Sequence, residues 1–163
     1  MGFLDLRFVR EGAAAGLVAA IVSSLPGLVD VLAGGTAWWF PPQLIATTVG
    51  FPLPAGFDAA PFVVGGCLHL LISAGLATAF AWMVGIRRLA PLLLLGSLFG
   101  LLVYGLNLLV FELGLFSTLA DNTKVAVELP AHLVFGATVG VSLALMNVKG
   151  ATRSPESGVR TAP

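Results

Sequence analysis

Charged residues are scarce in this sequence. Only 10% of the 163 residues are Asp, Glu, Lys or Arg, whereas an ordinary soluble domain has about 25%. The 8 basic and 8 acidic residues leave no net charge, so the chain lacks the basic surplus that holds a nucleic-acid backbone. We therefore expect no nucleic-acid partner.

Cysteine and the familiar catalytic motifs are also lacking. Cys67 is the only cysteine, which excludes an internal disulfide and the cysteine-rich zinc and thiol-redox motifs. The sequence has no glycine-rich phosphate loop, no His-Glu-x-x-His pair and no Gly-x-Ser-x-Gly nucleophile motif. No acidic residue occupies the middle of an apolar run, as a proton-coupled exporter would usually require. We predict no catalytic residue and no independent enzymatic activity.

Apolar residues, by contrast, make up 58% of the chain. They form four runs of about 20 residues, and a helix of that length crosses the ~30 Å hydrocarbon core of a bilayer. The sequence therefore predicts an all-α, polytopic membrane protein, a single domain with a four-transmembrane-helix bundle. We place its spans at residues 12–33, 62–84, 91–111 and 129–148, followed by a disordered cytoplasmic tail at 149–163.

The first apolar run has two special features. Arg7 and Arg10 precede it, as in a secretory signal, but the run is longer than the roughly 7–15 residues of a signal core. We therefore predict a retained helix. Pro26 removes a backbone donor within this run, which predicts a kink or a loosened turn beside Ser23 and Ser24.

Orientation is predicted from the cations in the segments that connect the spans. Only Lys124 falls on one side of the membrane, and seven cations fall on the other: Arg7, Arg10, Arg87, Arg88, Lys149, Arg153 and Arg160. Because cytoplasmic loops carry the excess of Lys and Arg, we predict a cell (inner) membrane protein with both termini cytoplasmic. Asp30 is expected to be a solvated helix-end carboxylate or to pair with Lys124.

The segment between the first two spans combines aromatic residues with helix breakers. Trp38, Trp39 and Phe40 precede two prolines, and tryptophan favours the headgroup region of a bilayer. We predict an interfacial outer loop between helices 1 and 2, with a short helix near residues 43–49. A loop that binds a partner protein is the alternative, and the sequence leaves both open.

Small residues recur at four-residue spacing in all four spans. Such residues allow helix backbones to approach closely in lipid, so we predict that these positions pack the bundle: Gly12, Gly16, Gly65, Ser73, Gly96, Gly100, Gly136 and Gly140. Residues 69–75 also resemble residues 132–138 at an offset of 63. Either a duplicated helix pair or shared apolar composition explains this similarity.

The two histidines, His69 and His132, fall towards the outer ends of helices that run in the same direction. Two imidazoles from separate helices can ligate haem b or bind copper, or hold another metal with Glu128. Alternatively, each neutral imidazole locks two helices together by bonding to a backbone carbonyl or to Asn107. A third interpretation is a proton or substrate path that also includes Tyr104. All three stay open at this point.

The motif from His132 to Gly140, the matching His69 helix and the segment from Pro42 to Gly50 resemble small, uncharacterised four-helix prokaryotic membrane proteins that are loosely YagU-like. The resemblance covers most of residues 12–148 and implies no established activity. Some members look like companions of respiratory oxidases. This implies a non-catalytic accessory subunit of a larger membrane complex of the terminal-oxidase type, which contacts other subunits through its helices and outer loop. A bis-histidine haem or copper protein in electron transfer, or a small transporter or channel, are the alternatives.

Overall fold

The computed structural model describes residues 6–84 and 89–151, and within these ranges the chain is helical with no strand. Four segments are long and apolar enough to cross a membrane: Phe8–Leu32, Ala59–Val84, Leu89–Glu112 and Val125–Met146. The predicted fold, an all-α bundle of four transmembrane helices, is confirmed. Each span begins two to four residues before the predicted position.

The first span consists of two helices, α1 (Leu6–Val22) and α2 (Leu25–Leu32). Pro26 lies in the first turn of α2, where its missing N–H would have no partner in any case. The N–H of Ser24 bonds to the carbonyl of Ile21 at 3.2 Å. This bond spans three residues instead of the four of an α-helix, so the regular α-helical hydrogen bonding is interrupted at the break. The kink or loosened turn predicted beside Ser23 and Ser24 is present as a break between α1 and α2.

The loop that follows contains helix α3 (Phe40–Ala46) and a 3₁₀ turn (Thr47–Val49). The short helix was predicted near residues 43–49, and the structure begins it at Phe40 with two prolines in its first turn. It ends at Gly50, which has φ 96°. Glycine suits this left-handed position because it has no Cβ to clash.

The remaining helices are α4 (Ala59–Val84), α5 (Leu89–Glu112), the short α6 (Ser117–Asp121) and α7 (Val125–Ala151). Helix α7 includes residues 149–151, so the predicted disordered tail is helical at its start. The rest of that tail, residues 152–163, lies outside the described ranges, as does the link that carries Arg87 and Arg88.

The spanning helices pack as two pairs. Helix α4 packs mainly on α1, and α5 packs mainly on α7, while contacts between α1 and α7 join the two pairs. Helices α4 and α5 are consecutive in the chain, yet each has its closest packing with another helix. The rings of Phe80 and Phe99 meet between them with centroids 5.0 Å apart. Leu92 and Val139 are fully buried at the centre of the core.

Both pairs use the same close backbone contact. A Cβ added to Gly16 would collide with the carbonyl of Ser73, and a Cβ added to Gly96 would collide with the carbonyl of Gly136. Ser73 and Gly136 are 63 positions apart, the offset seen in the sequence similarity. The two pairs therefore share one packing register, which supports the duplication hypothesis.

The predicted packing glycines differ in their neighbours. Gly12 lies against Thr78 of α4, and Gly140 lies against Leu92 of α5. Gly65 contacts the carbonyl of Pro42 in α3 instead of a spanning helix. The close approach at Gly65 therefore lets α3 pack directly against the first turns of α4.

Candidate functional site

The end of the bundle that carries segments 33–58 and 113–124, here called the loop side, holds both histidines. His69 on α4 places its Nε2 atom 3.2 Å from the carbonyl oxygen of Ala20 on α1. Because a carbonyl only accepts, this nitrogen must carry the hydrogen. The hydroxyls of Ser23 and Ser24 donate to the same oxygen at 3.2 and 2.9 Å. His69 thus satisfies a carbonyl freed by the kink and ties α4 to α1.

His132 uses its nitrogens in the opposite way. Its Nδ1 atom donates to the carbonyl of Glu128, one turn earlier in α7, at 2.8 Å. Its Nε2 atom lies 2.9 Å from the side-chain nitrogen of Asn107 on α5, so this nitrogen accepts from the amide N–H. This bond ties α7 to α5.

Asn107 and Tyr104 are one turn apart on α5, and both lie against His132. The rings of Tyr104 and His132 have centroids 5.5 Å apart. Together with Phe111 and Glu128, these side chains line a pocket of about 30 Å³ between α5 and α7. A pocket of this size holds about one or two waters. It is too small for a haem or an organic substrate.

The metal and haem hypotheses require the histidines to share a ligand. The Oε2 atom of Glu128 lies 3.7 Å from Nδ1 of His132. Among residues 6–84 and 89–151, however, no group of three or more His, Cys, Asp or Glu side chains is arranged to hold a metal. A shared haem would need both Nε2 atoms to leave their present bonds, so the residues as arranged do not fit it.

A salt bridge joins two segments of the chain at the loop side. The Nζ atom of Lys124 lies 2.9 and 3.0 Å from the two carboxylate oxygens of Asp30, and it donates to the hydroxyl of Thr36 at 3.3 Å. Thr36 also donates to Asp30. The predicted pairing of Asp30 with Lys124 is confirmed, and it joins the end of α2 to the turn before α7.

Gln43, on α3, is the residue that sequence reasoning missed. It is fully buried, its amide nitrogen donates to the carbonyl of Gly56 at 3.1 Å, and its oxygen accepts the N–H of Asp58 at 2.7 Å. The nitrogen and the oxygen of this amide therefore both bind the segment that contains Gly56 and Asp58, and they hold it against α3. A lone amide between prolines and apolar residues was the available signal.

The predicted loop aromatics separate into two groups. Trp38 contacts Phe57 and Phe62, with centroid distances of 5.7 and 5.5 Å, and the two phenylalanine rings are 5.7 Å apart. Trp39 is half-buried and lies near Phe40, with centroids 6.1 Å apart. Only the first group forms a three-ring cluster.

One face of α4 has no neighbour among the parts of the bundle that the structure describes. We call it the α4 outward face, and it consists of exposed residues at helical spacing: Leu71, Ile72, Gly75, Ala79 and Trp82. A Cβ added to Gly75 would meet nothing within 4 Å. Gly66 on α4 and Gly105 on α5 are equally open.

Comparisons with protein families, with curated proteins and with solved structures find no match to this chain. Its function is therefore inferred from the geometry of the loop side and of the exposed helix faces.

Proposed function

We propose that this protein is a non-catalytic accessory subunit of a larger membrane complex, and that it binds a transmembrane helix of a partner on the α4 outward face. The observation that carries this proposal is Gly75, a glycine in the interior of a spanning helix with open space beside it. Ala79 lies one turn further along the same exposed face.

Glycine in a helix is about 1 kcal/mol less favourable than alanine. Gly16, Gly96 and Gly136 offset this because a neighbouring backbone fills the space where a Cβ would be. Gly75 has no such neighbour among residues 6–84 and 89–151. Small residues one turn apart are the pattern that admits a second helix backbone in lipid, so a partner helix explains Gly75 and Ala79 together.

The kind of complex and the membrane are further parts of the proposal. The loose resemblance to companions of respiratory oxidases favours a respiratory complex of the terminal-oxidase type. The distribution of cations favours a cell (inner) membrane with both termini cytoplasmic. Labelling with a membrane-impermeant maleimide tests the orientation in a Cys67→Ser background. Asn122→Cys should react from outside intact cells, and Arg153→Cys should react only after the cells are opened.

Co-purification tests the proposed docking face. Tagged wild-type protein and two variants, Gly75→Leu and Gly66→Leu, are extracted from native membranes in mild detergent. Gly66 and Gly75 are nine residues apart, which places them about 180° apart around the helix. A stoichiometric membrane-protein partner should be lost from Gly75→Leu and retained by Gly66→Leu. Purification of the wild-type protein alone, or equal retention by both variants, would contradict the proposal.

The pocket beside His132 favours a second candidate, a small transporter or channel. Tyr104, Asn107 and His132 meet at the loop side, where a polar path would begin. Flux of protons or small ions in reconstituted vesicles tests this function. His132→Ala should abolish flux that the wild-type protein supports, and the absence of wild-type flux would exclude this candidate.

A further inference from the structure

We propose that Trp38, Phe57, Phe62 and the carboxylate of Asp58 form a contact site for the ammonium headgroups of zwitterionic phospholipids. The three rings are here called the aromatic cluster. This contact is separate from the proposed docking of a partner helix and does not depend on it.

The three rings of the aromatic cluster contact one another, and two of them are largely exposed. Its three centroid distances lie between 5.5 and 5.7 Å, so each ring supports the other two. Trp38 is 61% exposed and Phe57 is 55% exposed. Rings in this state present a broad apolar surface to whatever surrounds the loop side.

The position of the cluster along the chain sets its depth. Helix α4 enters its membrane-spanning segment at Ala59. Phe57 comes two residues before that point, and Phe62 lies in the first turn after it. The rings therefore lie where the span leaves the hydrocarbon core, which is the depth of phospholipid headgroups. Tryptophan is enriched at this depth because its ring is apolar while its N–H bonds to water.

Asp58 gives this surface its charge preference. Its Oδ1 atom accepts the N–H of Ala60 at 2.9 Å, and its own N–H donates to Gln43, so the residue is fixed between Phe57 and α4. Within the described residues no lysine, arginine or histidine pairs with this carboxylate. Aromatic faces and a carboxylate both attract ammonium groups. Choline and ethanolamine headgroups provide such a group at this depth.

The cluster and the α4 outward face point in different directions. Phe62 and Gly75 are 13 residues apart, which places them about 140° apart around the helix. A partner helix on Gly75 therefore leaves the aromatic cluster available to lipid.

Depth-dependent fluorescence quenching tests the lipid contact. The protein with Trp39→Phe and Trp82→Phe retains Trp38 as its only tryptophan, and it is placed in nanodiscs of phosphatidylcholine. A spin label at headgroup level should quench Trp38 about threefold more than a label deep in the acyl chain, because quenching requires near contact and tryptophan prefers this depth. Dominant quenching by aqueous iodide would overturn the proposal. Protection from every quencher would also overturn it, since protein would then cover the ring.

The headgroup preference has its own test. Asp58→Asn removes the charge but keeps a side chain that caps a helix equally well. In the protein that keeps Trp38 as its only tryptophan, headgroup-level quenching should decrease when phosphatidylglycerol replaces phosphatidylcholine, and the addition of Asp58→Asn should remove that difference. Asp121→Asn is the matched control, an exposed carboxylate of the same side, and it should leave the difference intact. Equal quenching in the two lipids, or an equal effect of both variants, would overturn the ammonium contact.

Discussion

The imidazole of His132 accepts a hydrogen bond from the amide of Asn107, with 2.9 Å between Nε2 and the side-chain nitrogen. At the equivalent position of the other helix pair, the same nitrogen of His69 donates to the carbonyl of Ala20. The two histidines, 63 positions apart, thus each join a helix pair through Nε2. This atom carries the hydrogen in His69 and lacks it in His132. The difference arises because α1 offers a freed carbonyl at its kink, whereas α5 offers an amide.

The first prediction concerns these two tautomers. The hydrogen should be on Nε2 of His69 and on Nδ1 of His132, because each nitrogen faces a backbone carbonyl. Solid-state NMR of protein labelled with ¹⁵N-histidine in bilayers measures both rings, and His69→Gln and His132→Gln assign the signals. Two histidines with the same tautomer would contradict the arrangement.

The bond between Asn107 and His132 should stabilise the bundle by a modest amount. Asn107→Leu is expected to lower the free energy of unfolding by about 0.6 kcal/mol, the average for hydrogen bonds between membrane helices, and by no more than about 1.7 kcal/mol, the maximum. Reversible unfolding in mixed micelles measures this. The control is Ser97→Ala, which removes only a bond within α5 to Leu93. The bond does not stabilise the fold if both variants unfold like wild type.

The sequence identified both histidines and offered each a carbonyl or Asn107 as a partner. It did not predict which histidine takes which partner. That choice depends on the break after Val22, which leaves the carbonyl of Ala20 available to α4. The spacing also placed the two rings at similar depth, but it contained no information on whether they face a common ligand.

The packing glycines should be sensitive to a single methyl group. Gly96→Ala puts a Cβ against the carbonyl of Gly136, and such overpacking is expected to destabilise by about 1–3 kcal/mol. Gly105→Ala, on the same helix, meets open space and should stabilise by up to about 1 kcal/mol because alanine is the better helix former. Unfolding midpoints of the two variants should therefore move in opposite directions. Equal shifts would contradict the close approach at Gly96.

Four-residue spacing predicted which small residues are placed for close packing, but not which helix each one contacts. Helices α4 and α5 are consecutive in the chain, yet each packs more closely on another helix. Gly65 contacts α3. Which helices pack together depends on how well the whole surfaces of both helices fit. A repeat of small residues describes the surface of only one of the two helices.

The loop should depend on one buried amide. Gln43→Leu removes the bonds to the carbonyl of Gly56 and to the N–H of Asp58, each worth about 0.5–1.5 kcal/mol, and the freed groups bond to water because Gly56 and Asp58 are exposed. We expect faster hydrogen exchange and faster proteolysis in residues 51–58. The control is Thr48→Val, which loses only a bond to Ile45 within its own helical turn. An unchanged exchange rate at Asp58 in Gln43→Leu would contradict this role.

Gln43 also makes contacts that the sequence does not predict. Gln43 lies in the short helix that was predicted near residues 43–49 and that the structure places at Phe40–Ala46. The partners of its side chain lie 13 and 15 residues away, in a segment that returns only because the loop folds back on itself. A contact of that kind has no local pattern.

The central claim is that the α4 outward face binds another protein, and photo-crosslinking in native membranes tests it most directly. A photoreactive amino acid replaces Ala79 in one protein and Leu94, an exposed residue of α5, in the control. A discrete protein adduct from position 79, absent from position 94, is the predicted result. Adducts with lipid alone from position 79 would contradict the claim.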